Sequence, residues 1–69
     1  MNLYSYTTFV IQHLTGGGWL DALDPSTDDG GAEYLSLEEA RARLAHVIHS
    51  EREARIVERL TVSVDNTVS

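Results

Sequence analysis

The side chains able to do chemistry in this chain are eleven carboxylates, three histidines and five arginines. There is no cysteine, so nucleophilic thiol chemistry and disulfides are both excluded. Asp21 and Asp24 stand three residues apart and invite reading as a paired acid and base. Such a pair needs an enclosing pocket, and a domain of this size rarely builds one. The polar loop Asp24-Pro25-Ser26-Thr27-Asp28-Asp29-Gly30-Gly31-Ala32-Glu33-Tyr34 invites a calcium reading. A calcium-binding EF-hand loop needs oxygen ligands at its first, third and fifth positions, glycine at the sixth and glutamate at the twelfth. Counted from Asp24, the sixth position is Asp29 and the twelfth is Leu35, so the pattern fails. His46 and His49 share the outward side of a helix, and a zinc ion needs three or four ligands. Gly16-Gly17-Gly18 lacks the helix start and the lysine of a phosphate-cradling loop, and reads as a hairpin turn. No catalytic residue, cofactor site or metal site is expected from these patterns.

The elements that must position these groups are organised around one helix, starting at Ser36 and read through His49. Ser36 is a good N-cap, and Glu39 three residues on completes a capping box. Glu38 and Glu39 sit where the helix dipole favours negative charge. Leu37, Ala40, Leu44, Val47 and Ile48 make one apolar stripe at helical spacing. Glu39 and Arg43, four residues apart, are expected to pair. Residues 3–15 are rich in aromatic and β-branched types, which is strand composition. Phe9 and Ile11 fall on one face, and Tyr4, Tyr6, Val10 and Leu14 on the other. A second short strand follows the glycines at Trp19 and ends before Pro25. The acidic loop over 24–35 has the composition of mobile, solvated backbone. A turn over 50–53 leads into a strand over 54–64, and 65–69 is expected to fray. Glu58 is the one charge on the apolar side of that last strand.

The order is strand, strand, helix, strand. The expected fold is α+β: a single small domain over 1–69, with a three-stranded antiparallel sheet, the first strand in the middle, and one helix packed on one face. The opposite sheet face, with Tyr4, Tyr6 and Val57, is expected to stay open, and an open apolar face marks a protein interface.

With 69 residues and no disulfide, the core is small, and a homodimer or a bound partner is a natural source of extra stability. The net charge is −6 and unevenly placed. The first forty residues carry Asp21, Asp24, Asp28, Asp29, Glu33, Glu38 and Glu39 with no cation, while all five arginines follow. A net acidic chain does not bind nucleic acid by counterion release. It can bind a protein that does, by presenting carboxylates where phosphates sit. No run is apolar enough for a membrane span, and the N-terminal residues lack signal-peptide character, so the expectation is a cytoplasmic protein.

Two segments carry a resemblance: Ser36-Leu37-Glu38-Glu39-Ala40-Arg41-Ala42-Arg43-Leu44-Ala45 and Arg55-Ile56-Val57-Glu58-Arg59-Leu60-Thr61-Val62. With the glycine turn and Trp19 ahead of them, they resemble small strand–strand–helix–strand proteins of bacteriophage and mobile-element genomes in high-GC bacteria. That resemblance implies a non-enzymatic inhibitor of a host machine, of the kind anti-CRISPR proteins exemplify. The implied partner is a host protein with a basic nucleic-acid-binding surface, a Cas effector among the candidates. The surface expected to meet it is the acidic set Asp21, Asp24, Asp28, Asp29, Glu33, Glu38 and Glu39, acting as a DNA mimic. The alternative expectation is a homodimeric assembly module working through the open sheet face.

Overall fold

Strand β1 (Asn2–Thr15) is the axis of the molecule, and every other strand bonds to it. The computed structural model describes residues 2–48 and 53–65. Fourteen residues of β1 at ~3.4 Å each span roughly 48 Å. That length accounts for a longest molecular axis of 52 Å against 25 and 18 Å.

The chain turns back at Gly16-Gly17 into β2 (Gly18–Asp21), with Thr15 opposite Gly18. Positive φ falls on Gly18, at 108°, just after the turn. The Thr15 hydroxyl donates to the Gly18 carbonyl at 2.8 Å and accepts from the Gly17 N–H at 3.1 Å, which closes the turn.

A two-residue strand, β3 (Glu33–Tyr34), pairs with Phe9 and Val10 of β1. Helix α1 (Leu37–Val47) follows, and β4 (Ala54–Asp65) then pairs with β1 from Asn2 to His13. The sheet is antiparallel, as expected, but among the described residues it has four strands and not three. Since β4 occupies one edge of β1 over that whole length, β2 and β3 must share the other. They are one edge strand split in two. The split occurs at Ile11: its N–H donates to the Ala32 carbonyl and its carbonyl accepts from the Ala22 N–H, both at 2.9 Å. Ala32 N–H then donates to the Ala22 carbonyl at 3.1 Å, so residues 22–32 leave the sheet as a loop with a closed neck. Two residues of β3 carry no period-2 pattern that a sequence reading can detect.

Three backbone segments meet at that neck. Ala22, Ala32 and, from the helix, Ala40 are buried there with Ile11 and Tyr34. Phe9, Leu44, Val47, Ile48 and Ile56 pack around them. The apolar stripe expected of the helix therefore faces the sheet through Ala40, Leu44, Val47 and Ile48, while Leu37 stays exposed. Ser36 is the N-cap, and its hydroxyl accepts from the Glu39 N–H at 3.1 Å. Asp65 is the last residue of β4. His49, the turn residues 50–52 and the end 66–69 lie outside the described residues.

β3 and β4 run parallel on either side of β1, and α1 carries the chain across β1 between them. Eleven helical residues at ~1.5 Å each cover only about 16 Å. The helix packs on β1 and β3, over the half of the sheet near the neck. The other half, residues 2–7 of β1 with residues 60–65 of β4, is a two-stranded ribbon with no helix above it among the described residues.

Candidate functional site

Asp24 opens the loop and is almost fully buried, at 1% exposure. Five donors reach it from three segments. Tyr34 Oη, from β3, donates to Asp24 Oδ2 at 2.6 Å. Arg43, from the helix, donates from Nε to Oδ2 and from Nη2 to Oδ1, both at 3.2 Å. The Ser26 N–H and hydroxyl donate to Oδ1 at 3.0 and 2.7 Å. The Tyr34 hydroxyl first, then Arg43 and Ser26, hold this carboxyl well below the usual carboxylate range. Burial, and then the neighbouring Asp24 charge, push the Tyr34 phenol up to about 12. Thr27 ties the rest of the loop down. Thr27 Oγ1 lies 2.7 Å from the Gly31 carbonyl and 2.9 Å from that of Asp24, and Gly30, at φ 76°, makes the final bend.

An open cleft of about 350 Å³ adjoins this cluster, lined by Leu23, Pro25, Ser26, Arg43, His46 and Val47 around Asp24. Its volume is at the lower end for a small-molecule site. Its charged walls are already spent on one another, because Arg43 and Asp24 form an ion pair. Arg43 had been expected to pair with Glu39, and it turns instead to the buried Asp24. A desolvated carboxylate with a planar two-point fit is the stronger attractor for a guanidinium than a solvated glutamate one turn away.

The sheet face away from the helix carries a second polar network. Antiparallel partners share a face, so the register places Trp19, Asp21, Arg55, Arg59, Gln12 and Thr8 together there. Arg59 grips Asp21 with two bonds, at 2.9 and 3.0 Å. Gln12 Nε2 donates to Asp21 Oδ1 at 2.8 Å, and Gln12 Oε1 accepts from Arg55 Nε at 2.9 Å. The Arg55 guanidinium stacks 4.2 Å over the Trp19 ring, and the Thr8 hydroxyl donates to Glu33 Oε2. Arg59 first, and then Gln12, lower the Asp21 pKa. This layer of long side chains seals Val10, which is buried on this face, and Val57 is half-buried beneath it.

The seven carboxylates expected to meet a partner are therefore not one surface. Asp24 is inside, Asp21 is paired with Arg59, and Glu33 is half-buried and bonded to Thr8. Asp28, Asp29, Glu38 and Glu39 are exposed. Asp29 also accepts from the Gly31 N–H at 3.1 Å, within its own loop. Among the described residues, no three His, Asp or Glu side chains converge where a metal ion could bind. Nor, among the described residues, is any helix long and apolar enough to cross a membrane.

The feature that sequence reading passed over is the bare ribbon. On the helix side of the sheet, beyond the end of α1, Leu3, Leu60, Val62 and Val64 are 69%, 67%, 57% and 50% exposed. Tyr4 and Tyr6 are exposed on the other side of the same ribbon. A signal was present: a strand rises about twice as far per residue as a helix, so two strands of twelve and fourteen residues must outrun a helix of eleven. Comparison with known protein families, curated sequences and solved structures finds no match for this chain.

Proposed function

We propose that this chain is a binding module that acts by protein–protein contact without catalysis, and that its contact surface is the bare end of the β1–β4 ribbon. One observation carries this reading: Leu3, Leu60, Val62 and Val64 form an aliphatic strip on one face, open to water. A two-stranded ribbon with no covering layer is marginal in water, and a contiguous apolar strip of this kind is characteristic of an interaction site. The two polar clusters, around Asp24 and around Asp21, are bonded within themselves, which supports a structural role for them.

The inhibitor reading stands second, on a smaller set of residues. Asp28, Asp29, Glu38 and Glu39 keep their carboxylates at the surface, in a chain of net charge −6. They would meet the basic surface of a nucleic-acid-handling protein, as an anti-CRISPR-like inhibitor would.

One experiment separates the two. The tagged protein is used to capture partners from nuclease-treated cognate cell lysate, at low and high salt, with mass-spectrometric readout. Two variants accompany it: Leu60→Thr with Val62→Thr and Val64→Thr, and Asp28→Asn with Asp29→Asn, Glu38→Gln and Glu39→Gln. The ribbon reading expects capture that survives high salt and is lost in the threonine variant. Capture that is lost at high salt and in the amide variant, and kept in the threonine variant, would replace it with the acidic inhibitor.

A further inference from the structure

The outer edge of β4 is a second feature of the same ribbon. β4 pairs with β1 alone among the described strands, so its far side has no strand beside it. The Leu14 N–H donates to the Glu53 carbonyl at 2.9 Å, which sets the alternation of bonded pairs along the two strands. Arg55, Val57, Arg59, Thr61 and Ser63 therefore turn their backbone groups toward β1. Ile56, Glu58, Leu60, Val62 and Val64 turn theirs outward. Edge strands are ordinarily blunted by proline, charged side chains, a bulge or an inward-pointing charge. β4 has twelve residues, no proline and no bulge, and its charges are Arg55, Glu58, Arg59 and Asp65, of which Glu58 alone lies on the helix side; the stretch from Leu60 to Val64 carries none.

Resting on the ribbon reading above, we infer that the partner is a second copy of this chain, joined by antiparallel pairing of the two β4 edges about a twofold axis at Leu60. Charge selects this register. Centring the axis at Leu60 sets Arg55 opposite Asp65 of the second copy, and the symmetry makes that pair twice. It sets Ile56 opposite Val64, Val57 opposite Ser63, Glu58 opposite Val62, Arg59 opposite Thr61, and Leu60 opposite itself; the Glu58 carboxylate then stays on the sheet face, where it is exposed. Centring at Arg59 or Glu58 sets two like charges against each other, which is destabilising. Centring further along shortens the overlap. The axis at Leu60 gives the longest overlap without like charges opposed. It also shields the β4 members of the strip from one side. Ile56 packs against the core beneath the helix, so placing Val64 beside the other copy's Ile56 lays the bare half of each ribbon along the covered half of its partner. The interface is self-complementary, as a twofold contact must be.

The test is sedimentation equilibrium of the full chain at about 10–100 µM, the range in which weak specific dimers populate. The expected mass is twice the 7.6 kDa of one chain. Val62→Pro removes an outward N–H and no bond to β1, so it is expected to return the mass to one chain with the circular dichroism retained. As a second variant, Arg55→Glu is expected to weaken association at least tenfold, and Arg55→Glu combined with Asp65→Arg to restore it. A wild-type chain that sediments as a monomer at 100 µM overturns the inference. So does a dimer indifferent to Val62→Pro and to the charge swap. The two readings fail separately. A monomer whose lysate capture still depends on Leu60, Val62 and Val64 removes the second copy and leaves the ribbon as the site. A monomer whose capture ignores those residues removes both.

Discussion

Replacing Tyr34 by phenylalanine tests whether Asp24 is the tie that holds the loop, the edge strand and the helix together. The perturbation is one oxygen atom. The ring stays, the buried cluster around Ile11 and Ala40 keeps its volume, and only the 2.6 Å bond to Asp24 Oδ2 is lost. A hydrogen bond to a charged acceptor contributes about 1.5–3 kcal/mol, and the acceptor here is withdrawn from water and cannot replace the donor from solvent. A domain of this length has a total stability of only about 3.5–10 kcal/mol, at ~0.05–0.15 kcal/mol per residue. A loss of about 2 kcal/mol lowers Tm by roughly 8–16 °C, at ~4–8 °C per kcal/mol for so small a domain. Thermal and urea unfolding, followed by circular dichroism and by Trp19 fluorescence, measure both. The pH dependence supplies a second readout. Tyr34 has its folded pKa raised to about 12, so its share of stability is complete below the unfolded value near 10 and is lost as pH rises from ~10 through ~12. Asp24 has its folded pKa depressed, so its share is complete above the unfolded value near 4 and is lost as pH falls below it. The phenylalanine variant is expected to lose the Tyr34 alkaline slope entirely and to show a shallower acid slope. A Tm within a degree or two of wild type, with both slopes unchanged, would refute the argument and make Asp24 a bystander.

Ile11→Ala empties the centre of the buried cluster and is expected to cost about 2–5 kcal/mol, enough to leave much of the chain unfolded at 37 °C by urea titration. Ser36→Ala removes the helix cap and is expected to cost about 1 kcal/mol, with faster amide exchange confined to the first turn of α1. Asp21→Asn breaks the exposed bidentate pair with Arg59, and a change of only about 0.2–1 kcal/mol, shrinking with added salt, is expected from chemical denaturation.

What the sequence determined by itself is what depends on neighbours a few residues away. The Ser36 cap, the period of the helix, the glycine turn and the two long strands are all local patterns, and they stand where the pattern put them. Glu58, unexplained by alternation, sits on a strand at the edge of the sheet, where its carboxylate reaches water. The bare ribbon was not read from the sequence: the helix, expected through His49, ends at Val47, and a fourteen-residue strand outruns an eleven-residue helix because its rise per residue is about twice as large. Tertiary structure decided the rest. The split of one edge strand into β2 and β3 follows from three backbones meeting at Ile11. The fate of each carboxylate was set by partners far along the chain: Arg43 lies 19 residues from Asp24, and Arg59 lies 38 residues from Asp21. Net charge counts all carboxylates alike. Burial separates them, because a carboxylate taken out of water must find its donors within the fold, and only the folded chain determines which donors are in reach.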